Sequence, residues 1–245
     1  MKDKILLCIP GTWRDRPNFI ERLFVGTDGR LVAAGNCILD RENKYSCEFN
    51  ISPFVEDMDE GFRIGSQTAP IAEDLLTQIG QHTSFLSLYS NKDGTSEALA
   101  ISEIALAALD VGGLAVRVEG SKRASDADQW RRSVQQAQKI APGLLYHVFV
   151  WAFVCDGITF DTIGMPFLGH PDISIEAPDF ETANAVYNEF AQYLLYSEPE
   201  IFDGQTIGFE DTDGVWRMTK ASHTYIDDPD IDFSRGMWRL RRVSD

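Results

Sequence analysis

Residues 144–155, LLYHVFVWAFVC, are apolar at nearly every position and constrain the fold more than any other stretch of the chain. A run this long, β-branched and aromatic with no polar alternation, predicts a strand in the middle of a sheet covered on both faces. His147 then falls mid-strand, as a core or sheet-face residue. Asp156-Gly157 turns the chain into ITFDTI, which completes a tight hairpin.

The flanking sequence supplies the other layers. ILLCIP, residues 5–10, is a buried strand closed by Pro10-Gly11, and Asp15-Arg16-Pro17 opens a helix whose Phe19, Ile20, Leu23 and Phe24 share a face. LVAAGNCIL and KYSCEFNI flank the charged break at residues 40–43 and predict a two-stranded hairpin. A helix over 69–81 precedes the strand TSFLSLYS. The next helix, 95–109, is apolar almost all round, so it must be packed on several sides; Gly112-Gly113 ends it. LAVRVEG is a strand, and residues 125–140 form a helix with Trp130, Val134, Ala137 and Ile140 on one face. Asp179 caps a helix carrying Phe180, Ala183, Tyr187, Phe190 and Leu194, and VWRMTKAS and MWRLRRV are two more strands. Strands and helices alternate irregularly. The expectation is a single α+β domain over residues 1–245, with a mixed, largely antiparallel sheet covered by helices.

Immediately after the hairpin, TIGMPFLGHPDISIEA places Gly164, Pro166, Gly169, His170, Pro171 and Asp172 within nine residues. Gly164 and Gly169 permit backbone angles that other residues resist, Pro166 and Pro171 fix others, and Asp172 can accept backbone donors. Gly164, Met165, Gly169, Pro171 and Asp172 therefore read as a rigid corner. The alternative reading makes His170 and Asp172, with Asp203 or a divalent metal held by them, the acid/base groups of a hydrolase-type enzyme.

The chain of 245 residues is 44% apolar and 11% aromatic, enough for a substantial core, and its net charge of −16 comes from 38 acidic against 22 basic residues. That balance argues against nucleic acid or an anionic membrane as partner, since both require clustered Lys and Arg. No apolar run is long enough to span a bilayer, and the opening KDKILLCIPGTW lacks the features of a signal peptide, so a cytoplasmic chain is expected. Cys8, Cys37, Cys47 and Cys155 lie far apart in strand-like surroundings and read as buried, reduced thiols.

Signatures of chemistry fail one by one. Neither phosphate-binding glycine pattern occurs, and Gly94-Thr95-Ser96, which has the right position between strand and helix, lacks a second glycine and a lysine. There is no GxSxG elbow, and no spacing ties His82, His147, His170 or His223 to a nucleophile. DDPDID alternates carboxylates as a calcium loop does, but Phe233 and Arg239 stand where such a loop needs Gly and Glu. No cofactor and no metal site is expected.

Separated pieces of the chain resemble the bacterial family catalogued as domain of unknown function 4261. They are Ile9-Pro10-Gly11-Thr12-Trp13, Ala33-Ala34-Gly35, Gly112-Gly113-Leu114-Ala115-Val116-Arg117-Val118-Glu119 and Trp130. They continue with Gly164-Met165, Leu168-Gly169-His170-Pro171-Asp172, Asp203-Gly204-Gln205-Thr206 and Trp238-Arg239-Leu240. The piece around the corner is the most specific; His170 stands where the family pattern has Leu. The resemblance implies one domain and brings no activity with it.

Charge then carries the functional expectation. Between residues 198 and 232, Glu198, Glu200, Asp203, Glu210, Asp211, Asp213, Asp227, Asp228, Asp230 and Asp232 face only Arg217 and Lys220. A surface of this kind steers association with a basic protein. The expected function is non-enzymatic binding, as an immunity-type inhibitor of a basic partner such as a toxin, through Asp211, Asp213, Asp228, Asp230 and Asp232. A scaffolding module anchored by exposed Trp13 and Trp216 is a further possibility.

Overall fold

The structure, a computed structural model, describes residues 5–155, 157–210, 212, 214–222 and 235–243. In chain order, β1 (Ile5–Gly11) leads to α1 (Arg16–Gly26). Asp15 caps this helix by accepting from the Asn18 amide at 2.8 Å, and Pro17 is tolerated in the first turn. Then come β2 (Leu31–Ala34), β3 (Cys37–Asp40), β4 (Tyr45–Pro53), α2 (Met58–Gly65), α3 (Glu73–Gly80), β5 (Ser84–Ser90) and α4 (Thr95–Asp110). They are followed by β6 (Ala115–Val118), β7 (Ala124–Asp126), α5 (Ala127–Lys139), α6 (Tyr146–Phe149), β8 (Trp151–Val154), β9 (Thr159–Ile163) and β10 (Asp172–Glu176). The chain closes with α7 (Phe180–Ser197), β11 (Thr206–Gly208), β12 (Val215–Ala221) and β13 (Met237–Arg242).

The fold is α+β, with its strands divided between two sheets. The first has the order β2-β3-β4-β5-β1-β6-β7 and antiparallel pairing throughout; the second has the order β11-β12-β13-β10-β9-β8. In the second sheet only β10 and β13 pair in parallel. One core cluster runs through both sheets, from Leu7 and Leu88 in the first to Ile173 and Leu240 in the second. α4 reaches both halves: it packs on β1 and β5 and touches the turn after β9, which is why its sequence is apolar almost all round. A smaller cluster of Phe62, Ile71, Leu76, Ile79, Ala115 and Ala124 lies under α2 and α3.

Several elements differ from the sequence expectation. Residues 144–155 are not one central strand. Pro142–Leu145 is a 3-10 turn, α6 follows it, and only Trp151–Val154 pairs, as the edge strand β8 beside β9. The run is apolar because α6 is a plug: Tyr146, Val148 and Phe149 are buried, Phe149 against Trp130 at 5.7 Å and Tyr146 against Tyr187 at 5.7 Å. His147 is therefore on a helical turn, and it is exposed. Burial on all sides carries no period, so a short helix and a strand write the same letters.

LVAAGNCIL is two strands, β2 and β3, reversed at Gly35, whose φ of 56° suits the turn. α2, absent from the expectation, carries Gly61 and Gly65, which weaken its helical signal; Gly65 is required because a Cβ there would stand 2.0 Å from the Lys122 carbonyl oxygen. The helix expected over 69–81 is the shorter α3. All four cysteines are free, but only Cys8 and Cys47 are buried; Cys37 lies on the exposed side of β3. Burial pushes the thiols of Cys8 and Cys47 up to about 12, which keeps them protonated and unreactive at neutral pH. Trp13 and Trp216 are fully buried and anchor nothing external; the Trp13 indole donates to the Val111 carbonyl at 3.0 Å.

Candidate functional site

The corner between β9 and β10 is built from its backbone outward. Gly164 (φ 122°) and Gly169 (φ 91°) bracket a 3-10 turn, Met165–Leu168, whose four side chains are buried. No other residue fits at Gly164, since a Cβ would stand 2.3 Å from the Phe149 carbonyl oxygen. Asp172, 1% exposed, closes the corner: its Oδ1 accepts from the Met165 amide at 3.1 Å and from the Thr162 hydroxyl at 3.2 Å. Thr162 Oγ1 in turn accepts from the Ile173 amide at 2.8 Å. The corner is latched to the head of α4, where the Gly94 amide donates to the Phe167 carbonyl at 2.9 Å. Arg235 clamps the same junction, donating to the Gly169 carbonyl and pairing with Asp93.

The three groups of the hydrolase reading occupy one end of the six-stranded sheet without forming a constellation. His170 is half-buried, and its imidazole is pushed below the usual histidine range by burial, with Glu198 opposing and Arg235 reinforcing the shift. Asp203 is exposed, and its Oδ1 accepts from the Lys220 amide at 2.8 Å, which ties the turn before β11 to β12. No hydrogen bond or ion pair among the described residues joins His170 to Asp172, or either of them to Asp203. Among the described residues no group of three or more His, Cys, Asp or Glu side chains is placed to hold a metal ion.

The carboxylates Asp211, Asp213, Asp228, Asp230 and Asp232 lie outside the described residues, as does His223. Their described neighbours Glu198, Glu200, Asp203 and Glu210 are all exposed. Of these, Glu210 lines an open groove of about 640 Å³ between the outer side of α7 and β11, together with Glu189, Tyr193, Tyr196, Gln205 and Phe209. β11 is an edge strand, so the backbone groups on its outer side face this surroundings unpaired by any other strand of the sheet. Glu189 holds one wall in place by accepting from the Glu210 amide at 2.9 Å. Phe202, 63% exposed, adds an apolar side chain beside the acid.

Sequence reasoning missed a second cluster, on the first sheet. Glu97, in the first turn of α4, accepts from the Tyr45 hydroxyl at 2.7 Å and from Ser90 Oγ, at the floor of a pocket of about 360 Å³ that Lys44 and Lys92 also line. Burial, and then the bond to Glu97, push the Tyr45 phenol well above its ordinary range, so it stays a donor. No motif announces this cluster, because its members come from β4, β5 and α4 and meet only through the sheet register.

Residues 161–233 match the family described as a domain of unknown function (DUF4261), a segment that begins on β9 and takes in the corner, β10, α7, β11 and β12. No curated protein and no solved structure matches the chain. No helix among the described residues is long and apolar enough to cross a membrane.

Proposed function

For a chain whose residues 161–233 match a family whose description carries no activity, we propose a non-enzymatic role in the cytoplasm. It captures a basic protein through its acidic surface, as an immunity-type inhibitor captures a toxin. The observation that supports this reading is the groove beside β11, where the carboxylates of Glu189 and Glu210, two tyrosines and an open strand edge occur together. Each feature has a part in recognition. Carboxylates accelerate and orient the approach of a cationic surface. Tyrosine rings supply contact area at low entropic loss. A free edge accepts an added strand of the partner. Asp211, Asp213, Asp228, Asp230 and Asp232 extend the acidic stretch in sequence and belong to the same proposed surface.

The test begins with purification of the tagged chain from its native cells at low and moderate salt, and identification of what is retained. Equilibrium binding of the purified partner then compares the wild type with the triple variant Asp228→Asn, Asp230→Asn, Asp232→Asn. Loss of three surface charge contacts weakens binding by about tenfold or more and flattens its salt dependence. Affinity and salt slope both unchanged remove these residues from the interface.

A further inference from the structure

Among the described strands, β8 closes one end of the six-stranded sheet, with β9 on its inner side and no strand on its outer side. The Cys155 amide donates to the Thr159 carbonyl at 2.8 Å, so Cys155, and with it Phe153 and Trp151, turn their backbone groups toward β9. Alternate residues of an antiparallel strand turn the other way, which leaves the amides and carbonyls of Ala152 and Val154 facing outward.

Folded proteins guard such an edge with a lysine, a proline or a bulge. β8 has none of these: it pairs with β9 in unbroken register from Trp151 to Val154, and residues 141–155 contain no Asp, Glu, Lys or Arg. The side chains around the edge are apolar. Val154 is 50% exposed, Ile158 58% and Phe180 55%, and all three gather about Phe160. Val154 stands opposite Phe160, the Phe180 ring lies 5.7 Å from the Phe160 ring, and Ile158 is two positions before it. On the other face, the partly exposed rings of Trp151 and Phe153 lie 5.4 Å apart.

Two properties select a second copy of this chain as the partner of the edge. The first is self-complementary hydrogen bonding. A two-fold axis through Ala152, perpendicular to the sheet, sets Ala152 opposite its own equivalent, and each donates its amide to the other's carbonyl. The Val154 amide then meets the Val150 carbonyl of the second copy. The ladder weakens there, because the Val150 amide is held by the Tyr146 carbonyl. The same register sets Trp151 of one copy opposite Phe153 of the other, twice, as cross-strand aromatic pairs. The second property is charge. At a net charge of −16 two copies repel each other across most of their surface, and the uncharged β8 edge lets them close without opposing carboxylates.

We propose that the chain forms a two-fold symmetric homodimer through β8, which joins the two six-stranded sheets into one continuous sheet. Val154 of each copy packs beside Val150 of the other, and Ile158 and Phe180 border the junction on that face. The β11 groove lies at the opposite end of the sheet order, so each copy in the dimer still presents it and the two proposals fail separately. Salt tells them apart: screening strengthens the association of two acidic chains and weakens the capture of a basic one.

Sedimentation equilibrium of the full chain across a range of concentrations, at low and moderate salt, tests the assignment. The expected result is a monomer–dimer equilibrium that tightens by about threefold or more as salt rises. Ala152→Pro removes the outward amide without breaking a bond to β9, and Val154→Lys places a cation on the edge. Each is expected to weaken the dimer by about tenfold or more, with the far-UV circular dichroism of the wild type. Val215→Lys, the same change at a 46% exposed position on β12, leaves the dimer intact. If Ala152→Pro misfolds, Val154→Lys against Val215→Lys decides the question. A monomer at every concentration overturns the proposal, whether or not a different protein then covers the edge. So does a dimer that loosens with salt, that survives every folded edge variant, or that Val215→Lys weakens as much as Val154→Lys.

Discussion

One oxygen of Asp172 holds a backbone amide and a threonine hydroxyl in a place where water has no access. Its replacement strands both donors, which is the expensive way to lose a hydrogen bond. Asp172→Ala is expected to destabilise the chain by about 2–3 kcal/mol, measured as a shift of the urea midpoint at constant slope; a change below about 0.5 kcal/mol would show that the corner stands without it. The residue types of this corner were legible from sequence, since each glycine, proline and acid has a turn role. The direction of the Asp172 carboxylate was not. Only the fold decides whether a carboxylate two positions from a histidine turns toward that histidine or inward to the backbone. The same holds for Asp203, a residue that reads as an available acid and is spent on the Lys220 amide.

At the scale of elements, caps proved more informative than composition. Asp15, Asp126 and Asp179 each accept from the backbone amide three residues on, and in α5 the Asp126 amide donates in return to Gln129 Oε1, a complete capping box. Asp126→Ala removes the cap of the helix that buries Trp130, Val134 and Ala137, and is expected to lower stability by about 1 kcal/mol. Thermal unfolding monitored by circular dichroism checks it, and Asp126→Asn should restore most of the loss because an amide oxygen caps as well. Runs of apolar residues were less informative. LLYHVFVWAFVC and the helix α4 are both apolar on every side, yet one is a turn, a short helix and an edge strand, and the other a single helix of 16 residues. α4 was readable because Gly94 and Gly112 punctuate it at helical length. The other run has no internal punctuation, and its break at Val150 follows from the need to fit α6 between α5 and the corner.

Across the whole molecule, the larger core cluster has no gap between the two sheets, and α4 belongs to both. Loss of either sheet exposes apolar surface of the other, so the chain is expected to unfold in one cooperative transition, with tryptophan fluorescence and far-UV circular dichroism giving coincident curves. Trp13 and Trp130 report on the first sheet and its helices, Trp216 and Trp238 on the second. Two separated transitions would show that the sheets are independently stable.

The division of information follows from range. The sequence by itself determined the local grammar: where the capped helices α1 and α7 begin, where the corner turns, that the fold is α+β, that the chain is strongly acidic and that its thiols form no ligand pattern. These depend on neighbours within a few positions and on residue chemistry that needs no partner. Tertiary structure alone decided how the strands divide between two sheets, which apolar run lies at an edge, and which side chains share a face. Tyr45 meets Ser90 and Glu97, and Asp161 aligns with Ser174 and Arg239, through strand register between segments far apart in the chain. Register is set by the packing of the whole sheet against its cover, a many-body balance that no local stretch of residues encodes.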